Sequence, residues 1–105
     1  MNSIPPLTGR DFLISILRIM ALQDDFQTAV GRSKQLTKRP SNEDLLNLYA
    51  LFKQAMDGEV SGERPGGFDF KAIAKFDAWT SKKGLTQDQA MQEYIVLIDK
   101  LEKEN

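Results

Sequence analysis

The chain has 105 residues, a mass of 11.9 kDa and a net charge of −1. It contains no cysteine and no histidine, which excludes disulfides, thiolate metal sites, the usual zinc chemistry and every triad built on imidazole. With 41% hydrophobic and 28% charged residues it reads as one small globular domain with a modest core. Composition therefore points to binding, with no catalytic residue, metal site or cofactor expected.

The first notable stretch is Phe12 to Met20, FLISILRIM. It is too short to span a bilayer, which takes about 20 apolar residues in a helix. Arg10 gives it a signal-like start, but Asp11 sits beside that arginine and no A-x-A cleavage pattern follows. Three readings remain: an extra helix packed on the body, a segment ahead of a translation start at Met20, or a short membrane-surface helix with only Arg10 and Arg18 as its basic face. We divide the chain into an N-terminal extension, residues 1–20, and a domain, residues 21–105.

Four helices are expected after the extension. The first runs from Asp24 or Asp25 to Leu36, with Phe26, Ala29, Val30 and Ser33 as its inner stripe. Acids at its start and Lys34 and Lys38 near its end suit the helix dipole. Ser41 caps the second helix, whose Leu45, Leu48, Tyr49, Phe52 and Met56 share a face; Gly58 closes it. The stretch Gly58–Phe68 holds four glycines and a proline and reads as a loop long enough to be functional. The third helix starts near Asp69 and ends before Gly84, with Ala72, Phe76 and Trp79 apolar. Thr86 and Gln89 form a capping box for the fourth, lined by Met91, Tyr94, Ile95, Ile98 and Leu101. No stretch has the alternation of a strand.

Charge is unevenly placed. From Phe26 to Asn42 there are four basic residues (Arg32, Lys34, Lys38, Arg39) and no acid. A locally basic middle in a near-neutral chain suits a compact anion and not nucleic acid, which calls for a more basic domain. Tyr49 and Lys53 stand four apart, as do Lys71 and Lys75, so each pair projects from one helix face. Taken singly, such lysines are solvated and such tyrosines half-buried. Brought together with Lys34 and Tyr94, they would hold a phosphate and an aromatic base, through ammonium point charge and a flat ring with a donor. GERPGG, Gly62 to Gly67, matches no phosphate-binding loop and reads as turn chemistry.

The stretch Leu48–Gly84 resembles the acyl-CoA-binding protein family. The motifs are Tyr49, Lys53-Gln54-Ala55, Gly58-Glu59, Arg64-Pro65-Gly66, Asp69-Phe70-Lys71, Lys75-Phe76-Asp77-Ala78-Trp79 and Lys83-Gly84. Phe26, Lys34, Pro40, Ala90, Met91 and Tyr94 extend the match to about residues 22–103. The resemblance implies an all-α four-helix bundle that binds long-chain fatty acyl-CoA. It implies that Tyr49, Lys53 and Lys75 hold the 3′-phosphate and adenine, and that Lys34, Lys71 and Tyr94 complete the head-group site. Val30, Leu45 and Leu46 are candidates for the acyl groove. Phe52 stands where the family usually has tyrosine, so a ring is kept and a hydroxyl lost; Phe76 replaces the first of two usual tryptophans. A monomeric cytoplasmic carrier follows, without enzymatic activity and in transient contact with membranes or acyl-CoA-using enzymes. The alternatives are an accessory domain of such an enzyme and a plain helical protein-interaction domain.

Overall fold

The structure is a computed structural model and describes residues 9–105. Its elements are α1 (Gly9–Ser33), α2 (Asn42–Asp57), α3 (Phe70–Thr80) and α4 (Gln87–Lys103), with no strand among the described residues. The fold is all-α. Helix α2 packs on α4 and α3, and α1 packs on α4.

Local chemistry sets most of the boundaries. The Ser41 hydroxyl accepts from the Asp44 N–H at 3.1 Å, starting α2. Gly58, at φ 82°, ends it and donates its N–H to the Gln54 carbonyl, a backbone conformation that favours glycine. Asp69 caps α3 through the Ala72 N–H at 3.1 Å. Both hydrogen bonds of the Thr86–Gln89 capping box are present, at 3.0 and 2.9 Å.

Helix α1 departs from the sequence reading. It begins at Gly9 and not at Asp24 or Asp25, and it ends at Ser33 and not at Leu36. Between Met20 and Asp24 stand Ala21, Leu22 and Gln23, all good helix formers, so nothing interrupts the helix. Asp24 and Asp25 therefore lie mid-helix; Asp11 occupies the first turn and Arg32 the last. At the other end the chain tightens into turns, with the Lys34 and Gln35 N–H groups bonded to the Gly31 and Arg32 carbonyls.

The core joins Phe26 and Ala29 of α1, Leu48, Leu51 and Ala55 of α2, and Tyr94, Ile98 and Leu101 among others of α4. Phe26 is its centre. Its ring meets Tyr94 edge-on at 5.1 Å and stacks with Phe52 at 6.1 Å, arrangements that add roughly 0.5–1.5 kcal/mol each beyond burial. Helix α3 contributes one buried side chain, Trp79, whose indole N–H donates to the Gly58 carbonyl at 3.0 Å. That bond ties α3 to the end of α2.

The long connection between α2 and α3 is pinned at two points. Arg64 makes a two-pronged ion pair with Asp77 at 2.8 and 2.9 Å. Glu59 accepts from the Gln54 amide at 2.7 Å and from the Gly84 N–H at 2.9 Å. The acids of this region thus hold loops in place. The N-terminal end of α1 is not packed on the body: Phe12, Leu13, Ile14, Leu17, Ile19 and Met20 are 40–62% exposed. The extra helix expected there exists, but as the free end of α1.

Candidate functional site

A cavity of about 440 Å³ opens between the start of α2 and the first turns of α3. Tyr49, Leu45 and Leu46 reach it from α2, and Lys71, Ala74 and Lys75 from α3. The spacing explains the pairing. Leu45 and Tyr49 are one turn apart, as are Lys71 and Lys75, so each helix presents two side chains to the same space. The volume falls in the range of small-molecule sites, about 300–1,000 Å³.

Two further residues complete the lining. Arg39 lies in the α1–α2 connection and Asn42 is the first residue of α2. The Arg39 guanidinium donates to the Asn42 side-chain oxygen at 3.1 Å and to the Pro40 carbonyl at 3.3 Å. The lining thus holds three cations, Arg39, Lys71 and Lys75, and no carboxylate. The Lys75 ammonium sits 5.2 Å from the centre of the Tyr49 ring. A neighbouring groove between α2 and α4, of about 420 Å³, is lined by one cation, Lys100, and one acid, Glu93. It lacks the uncompensated positive charge that an anion requires.

Of the residues singled out from sequence, the cavity gathers Tyr49, Lys71, Lys75, Leu45 and Leu46. The others lie outside its lining. Lys53, one turn beyond Tyr49, pairs with Asp57 and stands 4.7 Å from the centre of the Trp79 ring. The hydrogen bond to Asp57 raises its pKa above the ordinary lysine value, so the ammonium stays charged. Lys34 is exposed in the turn after α1. Tyr94 is 4% exposed, inside the core. Phe52 and Val30 are half-buried against the same cluster.

Arg39 and Asn42 escaped the sequence reading. Arg39 belongs to the acid-free basic stretch already noted, next to Pro40 of the motif match. Nothing in the spacing singled out Asn42. Among the described residues no group of three or more Asp, Glu, His or Cys is placed to hold a metal ion. No helix among them is long and apolar enough to cross a membrane.

Comparison with known proteins identifies the family. The family model for acyl-CoA-binding protein matches residues 23–98. An acyl-CoA-binding protein of Brassica napus is 48% identical over 82 residues, covering 78% of this chain and 89% of that one. A crystal structure of acyl-CoA-binding protein 2 from Oryza sativa superposes with a TM-score of 0.76 at 41% identity, over 79% of this chain and 92% of that one. Enoyl-CoA delta isomerase 2 of Rattus norvegicus is 44% identical over 81 residues, which are 77% of this chain but only 21% of that protein. With the helices, the motif order and the family model in agreement over most of its length, the chain belongs to the acyl-CoA-binding protein family.

Proposed function

We propose that the protein binds long-chain fatty acyl-CoA reversibly and buffers or carries it, making and breaking no covalent bond. The observation that carries this reading is the cavity between α2 and α3: three cations without a carboxylate beside two leucines and a phenol. A long-chain acyl-CoA has the matching parts, a multiply charged head with a purine and an apolar tail.

In this reading Lys75 and Tyr49 hold the 3′-phosphate and adenine end, joined by Lys53 once it leaves Asp57. Lys71 and Arg39 face the remaining phosphates, with Lys34 reaching in from the turn after α1. Phe52 and Tyr94 act from their aromatic contact with Phe26. The acyl chain follows Leu45 and Leu46, with Val30 further along. Each charge-assisted hydrogen bond to the head contributes about 1.5–3 kcal/mol, and each fully buried CH₂ of the tail about 0.8 kcal/mol. Head and tail therefore contribute on similar scales, and neither suffices alone. The reading makes the protein a monomeric cytoplasmic carrier that needs no cofactor.

Calorimetric titration with palmitoyl-CoA, CoA and palmitate tests it. Saturable binding of palmitoyl-CoA is expected, with CoA weaker because it leaves the groove empty and palmitate weaker because it lacks the phosphates. Palmitate binding as tightly as palmitoyl-CoA overturns the head-group assignment, and no binding at all leaves a plain helical interaction domain. The match to part of an isomerase supports a second reading, a module that presents acyl-CoA to an enzyme; chromatography of the ligand after titration shows whether it has been turned over.

A further inference from the structure

The N-terminal part of α1 carries a second apolar stripe, rotated from the one that builds the core and overlapping only its edge. At about 100° per residue, Ile19, Phe12, Ile16, Met20, Leu13 and Leu17 fall within an arc of about 160°. Arg18, Asp11 and Ser15 share a narrow back of about 60°, and Ile14, 40% exposed, falls outside the arc beside Arg18. The core stripe of the same helix, centred on Phe26 and Ala29, is rotated from the middle of this arc by about 130°. Followed upward along the helix, the core direction meets Asp11 and Ser15, and its edge at Val30 meets Ile19 and Phe12. The bundle therefore engages the lower stripe and leaves the upper one outside. Exposure agrees: of the six residues in the arc only Ile16 is half-buried, and Leu13 and Leu17 are 60% and 62% exposed.

We infer that this end of α1 docks on the surface of an anionic lipid bilayer, lying in its plane. Three observations select that occupant. The arc, about 160° wide, exceeds the minimum of about 100° for a core-facing stripe, and a flat apolar medium covers such a width more fully than one neighbouring helix. The stretch Gly9–Met20 has two arginines and one aspartate, so it is positive within a chain of net charge −1, complementary to anionic headgroups. Arg10 borders the arc, where its long side chain can reach headgroups while the stem lies along apolar surface. Length excludes crossing: twelve helical residues rise about 18 Å, against about 30 Å of hydrocarbon. Asp24 and Asp25 follow one turn after Met20 and mark where immersion ends. The bundle with its cavity would then sit at the lipid surface.

The test is sedimentation of the full chain with vesicles of phosphatidylcholine and phosphatidylserine, and with phosphatidylcholine alone. Binding is expected to the mixed vesicles and to be weaker with the neutral ones. Replacing Leu13 and Leu17 together by Asn should lower partitioning at least about tenfold, given the apolar area withdrawn from lipid. Arg10→Gln with Arg18→Gln should abolish the preference for anionic vesicles. Absence of binding to either vesicle overturns the inference, as does equal binding to both, or unchanged binding of the leucine variant. So does a full chain that is oligomeric in ultracentrifugation and becomes monomeric in the leucine variant, because a second copy then covers the arc. Palmitoyl-CoA titration of the same variants, without vesicles, keeps this test separate from that of the ligand.

Discussion

The Lys75 ammonium of α3 faces the Tyr49 ring of α2 at 5.2 Å, across the cavity. A ring holds a lysine in place without neutralising it. At an exposed site the contact contributes about 0.5–1 kcal/mol, less than the roughly 1.5–3 kcal/mol of a hydrogen bond to a charged group. In the proposed reading a phosphate recruits this lysine from the ring. Lys75→Ala should weaken palmitoyl-CoA binding by about 1.5–3 kcal/mol and leave the thermal midpoint little changed. Calorimetry and a melting curve on the same preparation check both halves. A variant with full affinity removes Lys75 from the site.

Lys53 makes the opposite case. Its ammonium is already occupied by Asp57 and lies over Trp79. To reach a phosphate it must leave an ion pair whose partners are 27% and 50% exposed at the side chain, a separation that costs about 0.2–1 kcal/mol. Asp57→Asn should thus tighten palmitoyl-CoA binding by up to that amount, and adding Lys53→Ala should abolish the gain. Weaker binding of Asp57→Asn would show that the pair positions Lys53 and does not restrain it.

These two lysines also mark how far the sequence could be read. Caps were legible because they are local: Ser41, Gly58 and Thr86 act within a few residues of their own position. The spacing of four between Tyr49 and Lys53 shows a shared helix face, but whether each side chain meets α3 at Lys75 or at Trp79 depends on how the two helices cross. Arg39 reaches the cavity from a connection whose path is set by tertiary packing. The start of α1 was misread for a physical reason as well. Adjacent Asp24 and Asp25 imitate an N-terminus, while the absence of any breaker from Ala21 to Gln23 lets the helix run through.

Acid should loosen the connections around the site. The hydrogen bond from the Gly84 N–H, then that from Gln54, lowers the pKa of Glu59; the hydrogen bond from Arg64 lowers that of Asp77. A carboxylate depressed in the folded state stabilises the fold above its unfolded pKa, about 4, and loses that contribution as pH falls through the folded value. Glu59→Gln and Asp77→Asn should each reduce the urea midpoint near neutral pH, and the deficit should shrink as the pH drops below about 4. A deficit that stays constant across that range would assign the effect to packing and not to charge.

A chain beginning at Met20 should fold and bind palmitoyl-CoA as the full chain does. The buried residues of α1 are Phe26 and Ala29, and both remain. Of the described residues removed, 9–19, all are exposed except the half-buried Ile16, so their loss returns little apolar area to water. The new end also places Asp24 and Asp25 near the start of the helix, where acids favour the dipole by about 0.3–1 kcal/mol. The family model begins at residue 23, consistent with a domain that does not need the segment before it. Thermal melting and calorimetry should show closely similar midpoints and affinities, while vesicle sedimentation should be lost. A large fall in the midpoint would make the segment part of the fold, through Ile16 and the turns below it. A gain in affinity would instead place the apolar arc over the cavity, where deleting it uncovers the leucines proposed to hold the acyl chain.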